Sequence, residues 1–172
     1  MENLVIWAPI MGIIALAFAF MLAVRIAKSP AGNQRMKEIS DAIHEGAMAF
    51  LFREYKILSV FVIVMFIVIG RFINWPTAIS YIIGSIASIL AGFIGMNVAT
   101  KANVRTAHAA REGQSKALSI AFSGGAVMGM SVAGLGLLGI GILYYLFGNP
   151  QDVKSFDVIN GFALGASSIA LF

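Results

Sequence analysis

Basic residues in this chain fall in alternate gaps between its long apolar runs. Counted before, between and after successive runs, the numbers of Lys and Arg are zero, six, one, four and one. In helical membrane proteins the loops on the cytoplasmic side carry the excess of Lys and Arg. The alternation therefore predicts a polytopic helical membrane protein with its amino terminus outside. The cytoplasmic loops are predicted at residues 25–56 (Arg25, Lys28, Arg35, Lys37, Arg53, Lys56) and 101–116 (Lys101, Arg105, Arg111, Lys116).

Composition supports a lipid environment and excludes several classes of function. Hydrophobic residues make up 59% of the chain and charged residues only 12%, whereas soluble proteins have about a quarter charged. The net charge of +4 does not indicate nucleic-acid binding, because ten of the twelve basic residues lie in the two predicted cytoplasmic loops, where topology accounts for them. With no cysteine, the chain has no disulfide, thiolate metal site or cysteine nucleophile.

The apolar runs predict an all-α fold with four complete transmembrane helices and a truncated fifth. The predicted spans are residues 4–24, 55–73, 76–100, 122–147 and, incomplete, 158–172. The second run is short, so we expect it to continue an amphipathic surface segment as one helix over residues 36–73. The fifth run has 15 residues, about 22 Å of helix against a hydrocarbon core of about 30 Å. We therefore expect this single transmembrane region to continue in a longer parent.

Small residues recur every four positions in the later runs. Such rows let helix backbones approach closely in lipid, where van der Waals contact holds helices together. We expect close packing along Gly84, Ser88 and Gly92, along Ala91, Gly95 and Ala99, along Gly125, Gly129 and Ala133, and at Gly161 with Gly165. Trp75 and Pro76 are expected to form the outer turn between the second and third spans.

Motifs for catalysis are missing from the sequence, so we assign no catalytic, cofactor-binding or metal-binding residue in this chain. Residues 113–116 lack the glycine spacing of a phosphate loop, and no Asp-rich cluster is present to hold magnesium. Residues 129–133 (GMSVA) resemble a nucleophile elbow only slightly, and we interpret them as a packing motif because they lie within an apolar span.

A few polar residues are candidates for a functional role, but each also has a structural interpretation. Glu54 lies on the apolar stripe near the membrane boundary. One interpretation is a carboxylate on an ion path, and the favoured interpretation is an ion pair with a nearby Arg or Lys. His44 and His108 are expected to be solvated in cytoplasmic segments. Side chains expected to bond across helices or to their own backbone are Asn97, Ser123, Ser131, Ser167 and Ser168.

Several segments resemble the membrane-integral, ion-translocating pyrophosphatases. Residues 35–56 (RMKEISDAIHEGAMAFLFREYK) are similar to the segment that enters the second span of that family. The resemblance continues through residues 102–111 (ANVRTAHAAR), 121–129 (AFSGGAVMG) and 134–139 (GLGLLG), and residues 161–172 (GFALGASSIALF) resemble the family's fifth helix. These segments follow the family's order over nearly the whole chain.

The resemblance implies a pump that hydrolyses pyrophosphate at a cytoplasmic magnesium site and moves protons or sodium ions outward. It further implies about sixteen transmembrane helices in two concentric rings and a homodimer in the cell membrane. By this likeness the chain is the amino-terminal part of the pump, and the family's pyrophosphate-binding motifs follow Phe172. The partners expected are the lipid bilayer and the remaining helices of the parent. The transported ion and any potassium dependence are left open.

Two other functions fit part of the sequence. A small non-enzymatic membrane assembly subunit would explain the missing catalytic motifs, but not the short final run or the family segments. A small transporter would usually bury ionisable groups within its spans, and here the spans carry almost none. The pump is the favoured interpretation.

Overall fold

The computed structural model describes residues 6–148 and 156–170. Within those residues the chain forms five α-helices and no β-strand. They are α1 (Trp7–Lys28), α2 (Gln34–Phe72), α3 (Trp75–Ala110), α4 (Gln114–Phe147) and α5 (Asp157–Ala170). The first four are long and apolar enough to cross a membrane. The expected all-α membrane fold is confirmed, whereas the side on which the amino terminus lies stays a prediction.

Some sequence predictions concern residues outside the described ranges. They are the first two residues of the predicted first span, the single basic residue Lys154 and the last two residues of the fifth run. The span boundaries in the membrane likewise stay predictions, since the helices extend beyond the apolar runs.

Helix α2 is one continuous helix, as the amphipathic pattern led us to expect. Its 39 residues extend for about 58 Å, roughly twice the hydrocarbon core. Asn33 caps the amino end, because its side-chain oxygen accepts a hydrogen bond from the backbone N–H of Met36 at 3.0 Å. Gly32 before it has φ of 83°, a conformation that glycine adopts readily. The long helix therefore continues well past one membrane face.

The turn between α2 and α3 lies at residues 73–74, two positions earlier than the sequence suggested. Trp75 and Pro76 belong to the first turn of α3, and Asn74 is the cap, accepting a hydrogen bond from the Thr77 N–H at 2.7 Å. Proline is tolerated there because its missing N–H would have no partner inside the helix. The Trp75 ring packs edge-on against Phe66 of α2, with centroids 5.8 Å apart. The expected turn at Trp75 and Pro76 is therefore wrong by two positions.

Most of the predicted loop at residues 101–116 is helical. Helix α3 continues to Ala110 and α4 begins at Gln114, so only residues 111–113 connect them. Residues 101–110 contain four alanines and no glycine or proline, so local propensity extends the helix beyond the apolar run. Lys101, Arg105 and Lys116 therefore project from helices, and Arg111 alone of the four basic residues lies in the connection.

Helix α3 is the centre of the arrangement. It packs against α2, α4 and α5, while the main partner of α1 is α4. One core cluster joins α1, α3 and α4 through Ala19, Ile26, Ala102 and Val127. A second joins α2 to α3, with Val62, Ile69, Ala78 and Tyr81 buried.

Glycines mark where helices touch, but not all of those predicted. A Cβ on Gly12 would lie 2.8 Å from the Gly134 carbonyl oxygen, and a Cβ on Gly134 would lie 2.9 Å from that of Gly12. A Cβ on Gly161 would lie 2.5 Å from the Thr77 carbonyl oxygen. This confirms the close helix contact that was predicted at Gly161 with Gly165.

The predicted close packing along Gly125, Gly129 and Ala133 is not formed within the described residues. A Cβ added at Gly125 or Gly129 would meet nothing within 4 Å. The packed glycines of α4 lie on other faces of the helix and include Gly134 and Gly141, which contact α1. The helix is glycine-rich all round, so four-residue spacing alone did not distinguish its packed face from its open one.

Candidate functional site

Three helices meet at one membrane face and leave a cleft between them. The end of α1, the end of α3 and the start of α4 line a cavity of about 280 Å³. We call this cavity the basic cleft, and its polar lining comprises Arg25, Ser29, Arg105, His108, Glu112, Lys116, Ser119 and Ser123. The helical continuation of α3 and the packing of α1 beside it bring these cations to one cavity.

Arg105 joins the ends of α1 and α3. Its Nε donates a hydrogen bond to the carbonyl oxygen of Ser29 at 3.1 Å, and Nη2 donates to that of Ala27, also at 3.1 Å. Nη1 donates to the Lys101 carbonyl oxygen in its own helix at 2.7 Å. The carbonyls at a helix end lack partners within the helix and carry partial negative charge. Arg105 therefore caps α1 and fixes its position on α3.

Glu112 and Lys116 form the closest ion pair of the cleft. Lys116 Nζ donates to Glu112 Oε2 at 2.7 Å, and His108 Nε2 lies 3.9 Å from Glu112 Oε1. The hydrogen bond from Lys116, followed by its charge, lowers the pKa of the Glu112 carboxyl, and the same contact raises the pKa of Lys116. Both side chains are well exposed, so the pair is screened by solvent.

Arg25 supplies a cation without a partner. Its side chain is exposed, and within the described residues its guanidinium makes no hydrogen bond or ion pair. Nδ1 of His108 is buried and also has no hydrogen-bond partner among those residues. The guanidinium of Arg25 is therefore a planar hydrogen-bond donor at the rim of the cleft that no described residue occupies.

His44 is more constrained than the sequence suggested. It is half-buried, and Nδ1 lies 2.8 Å from Thr100 Oγ1 of α3. The Thr100 hydroxyl has one proton and lies 3.0 Å from the Met96 carbonyl oxygen. With that proton donated to the carbonyl, Nδ1 of His44 is the donor to Thr100. From the sequence we expected a solvated His44 side chain. Its ring instead contacts Thr100 of α3, which lies 56 residues later in the chain.

Glu54 does not form the ion pair that we favoured from the sequence. It is half-buried, and no basic group of the described residues lies within 4.0 Å of its carboxylate. Its neighbour Tyr55 instead links the helices, donating from its hydroxyl to the Ile89 carbonyl oxygen of α3 at 3.0 Å.

The serines mostly bond to their own helices. Ser123, Ser131, Ser167 and Ser168 each donate to a backbone carbonyl three or four residues earlier. Asn97 is half-buried, and its side chain has no hydrogen-bond partner among the described residues. Ser131 is fully buried, so the stretch at residues 129–133 presents no exposed hydroxyl. The structural interpretation of these serines is supported.

One serine that sequence reasoning missed makes a contact across helices. Ser85 Oγ lies 2.9 Å from the Tyr81 carbonyl oxygen and 3.3 Å from that of Gly165 in α5. Thr77 Oγ1, Ser80 Oγ and Tyr81 OH lie nearby in α3, buried and without a partner among the described residues. The small residues Thr77, Ser80 and Gly84, spaced by three and four positions, could have identified this face of α3 as a packed one.

A larger groove lies between α3, α4 and α5. It has a volume of about 610 Å³ and a mostly apolar lining that includes Ala91, Met128, Val132 and Phe162. Within the described residues no group of three or more His, Asp or Glu side chains is placed to hold a metal ion. The chemistry that these residues offer is therefore concentrated in the basic cleft.

Comparison with known proteins gives a consistent result. The sequence model of the inorganic H+ pyrophosphatase family matches residues 13–172. The whole chain is 58% identical to 25% of a putative K(+)-stimulated pyrophosphate-energized sodium pump of Clostridium tetani. It is also 45% identical, again over its whole length, to 25% of a K(+)-insensitive pyrophosphate-energized proton pump of Methanosarcina mazei.

A third relative is more distant. The K(+)-stimulated pyrophosphate-energized sodium pump of Thermotoga maritima is 37% identical over 93% of this chain and 24% of the pump. The chain thus spans about a quarter of the length of the curated relatives that it matches.

Proposed function

The chain belongs to the inorganic H+ pyrophosphatase family, and on that basis we propose that it forms the amino-terminal transmembrane portion of a pyrophosphate-energised ion pump. The pump hydrolyses pyrophosphate and moves protons or sodium ions out of the cytoplasm. The observation that carries this proposal is the 58% identity over the whole chain to a putative sodium pump. No finding favours a small assembly subunit or a small transporter.

In this proposal the described helices provide a scaffold and the reaction takes place elsewhere in the pump. Binding pyrophosphate requires carboxylates that hold magnesium ions together with cations on the phosphate oxygens. The described residues contain no such carboxylate group, so they do not fit a magnesium site. We assign magnesium and pyrophosphate binding to the part of the relatives that this chain does not match.

The proposed placement is a multi-pass protein of the cell membrane that assembles as a homodimer. Residues 25–56 and 101–116 face the cytoplasm, in agreement with the positive-inside distribution. Many large apolar side chains of α1, α2 and α4 are exposed in this chain, including Phe20, Phe72 and Phe122. Lipid and the remaining helices of the pump would cover this surface.

The test is to express the full-length gene and to measure both reactions in sealed membrane vesicles. We expect magnesium-dependent release of phosphate from pyrophosphate, coupled to uptake of protons or of sodium-22 into inverted vesicles. Proton uptake without sodium dependence would identify a proton pump, and sodium uptake resistant to protonophores a sodium pump. Absence of pyrophosphate hydrolysis in a correctly inserted protein would contradict the proposal.

The chain alone provides a second test. We expect the purified 172-residue polypeptide to lack magnesium-dependent pyrophosphatase activity, because it offers no carboxylate cluster to organise the metal and the phosphates. The measurement is phosphate release in detergent, with the full-length protein as the positive control. Hydrolysis by the short polypeptide would show that catalytic residues lie within it.

A further inference from the structure

We propose that the basic cleft binds the phosphodiester headgroup of an anionic phospholipid at the membrane face where α1 and α3 end. This inference goes beyond the pumping function, because it concerns a lipid that is neither substrate nor transported ion. It depends on the packing of α1, α3 and α4 alone.

The charges of the cleft favour an anion. Three permanent cations, Arg25, Arg105 and Lys116, face a single carboxylate, Glu112. The guanidinium of Arg25 has no partner among the described residues, and its planar donors match two oxygens of a phosphate. Lys116 directs one proton to Glu112, which leaves two further ammonium donors. The cleft is therefore able to bind a phosphate without first breaking an internal contact.

The position of the cleft favours a lipid over a free phosphate ion. One helical turn deeper than Arg25 on the same face of α1, Met21 is 58% exposed. On α4, Phe122 follows Ser119 by about one turn and is 74% exposed. A phosphate seated among the cations would thus continue into exposed apolar surface where acyl chains can lie. A free phosphate ion has no apolar part that could contact that surface.

The size of the cleft also fits a headgroup. Its volume of about 280 Å³ lies just below the range of whole-ligand pockets, which is about 300–1,000 Å³. A phosphoglycerol group would be accommodated while its chains remain outside. Basic pockets between transmembrane helices are known to hold anionic headgroups.

The experiment measures lipid retention by native mass spectrometry of the full-length protein that carries this chain. The protein is purified in neutral detergent and incubated with phosphatidylglycerol or with phosphatidylcholine of identical acyl chains. We expect the wild-type protein to retain phosphatidylglycerol preferentially. In the double variant Arg25→Gln/Lys116→Gln we expect retention about 25-fold weaker, since each cation near the surface contributes about fivefold.

Two further variants make the test specific. Arg53→Gln removes an exposed cation of α2 that does not line the cleft, and we expect it to retain phosphatidylglycerol like the wild type. Glu112→Gln removes the carboxylate of the cleft and frees Lys116, so we expect retention about fivefold stronger. A gain of binding cannot result from misfolding, which keeps the proposal testable if the double variant is unstable.

The outcomes separate the possible ligands. Equal retention of the two lipids, equal loss in Arg53→Gln, or no gain in Glu112→Gln would overturn the proposal. Displacement of phosphatidylglycerol by millimolar inorganic phosphate would assign the cleft to the free ion and would also overturn it. Pyrophosphate hydrolysis measured in the same samples reports on the pump separately, since none of these side chains is assigned to its reaction.

Discussion

At the scale of single residues, Arg105 contributes most to the junction of the helix ends. Its guanidinium binds two carbonyl groups at the end of α1 although the residues are more than 75 positions apart in sequence. The sequence identifies Arg105 as one of several topological cations and does not distinguish it from Arg111. Only the packing of α1 beside α3 gives it a structural role.

Replacing Arg105 with glutamine should weaken this junction. Loss of charged hydrogen bonds to carbonyls at a helix end should lower the free energy of unfolding by about 1–3 kcal/mol. The measurement is the thermal unfolding midpoint of the full-length protein in detergent. Arg111→Gln is the control, because Arg111 is exposed and its side chain has no partner among the described residues. Equal midpoints for the two variants would contradict the capping role.

The pair of Glu112 and Lys116 predicts a pH dependence. The pKa of the Glu112 carboxyl is lowered chiefly by the hydrogen bond from Lys116, so the pair is intact above the ordinary carboxyl range and is lost as pH falls through the lowered pKa. The pKa of Lys116 is raised by the same bond, so on the alkaline side the pair is lost as pH rises through that raised value.

The lowered pKa of the Glu112 carboxyl can be tested by titration. In Lys116→Gln, we expect the pKa of Glu112 to return toward its ordinary value, because the charged ammonium group that donates the hydrogen bond is gone. Carbon-13 NMR of labelled glutamate would follow this titration, with Arg53→Gln as the control. An unchanged Glu112 pKa in Lys116→Gln would show that another group sets it.

At the scale of helices, the interface between α3 and α5 depends on backbone contact. A Cβ on Gly165 would overlap the Tyr81 carbonyl oxygen, and a Cβ on Gly84 would overlap that of Phe162. Small residues thus bring the two backbones together, and Ser85 adds a hydroxyl near the Gly165 carbonyl oxygen. The spacing of small residues predicted close packing at Gly84 and Gly165 but did not indicate that these two helices are partners.

A single methyl group should disturb that interface. Gly165→Ala places a Cβ against the backbone of α3, and we expect a loss of about 1–3 kcal/mol of stability from overpacking. Gly129→Ala is the matched control, since a Cβ there meets nothing within 4 Å and alanine favours the helix. Thermal unfolding of the two full-length variants compares them. Equal destabilisation would show that the two glycines do not differ in packing.

The sequence predicted the helices better than their contacts. Apolar runs and the positions of cations indicated the number, order and type of the helices, because length and charge are local properties. They did not indicate which face of α4 is packed, since Gly129 and Gly134 have the same local chemistry and only the position of α1 distinguishes them. The hydrogen bond of His44 was missed for the same reason. The charge pattern predicted that the basic residues of the cleft belong to loops on one side of the membrane. It did not indicate that they line one cavity.

At the scale of the whole molecule, sidedness is the prediction with the widest consequences. The chain has no cysteine, so a single cysteine introduced into it is not obscured by labelling elsewhere in these 172 residues. We expect Ser115→Cys, at the start of α4, to react only when the cytoplasmic face is accessible, and Ile73→Cys, between α2 and α3, only from outside. Both positions are exposed. Labelling of intact cells with a membrane-impermeant maleimide distinguishes the two faces, and the reverse pattern would invert the proposed topology.

Because α1 packs mainly on α4 and not on the helix that follows it, its neighbour in sequence is not its main partner in space. A ribosome would deliver α2 and α3 before α4, the companion of α1 among the described helices, has been made. We therefore expect the first helix to enter the bilayer before its main contact in this part of the chain can form.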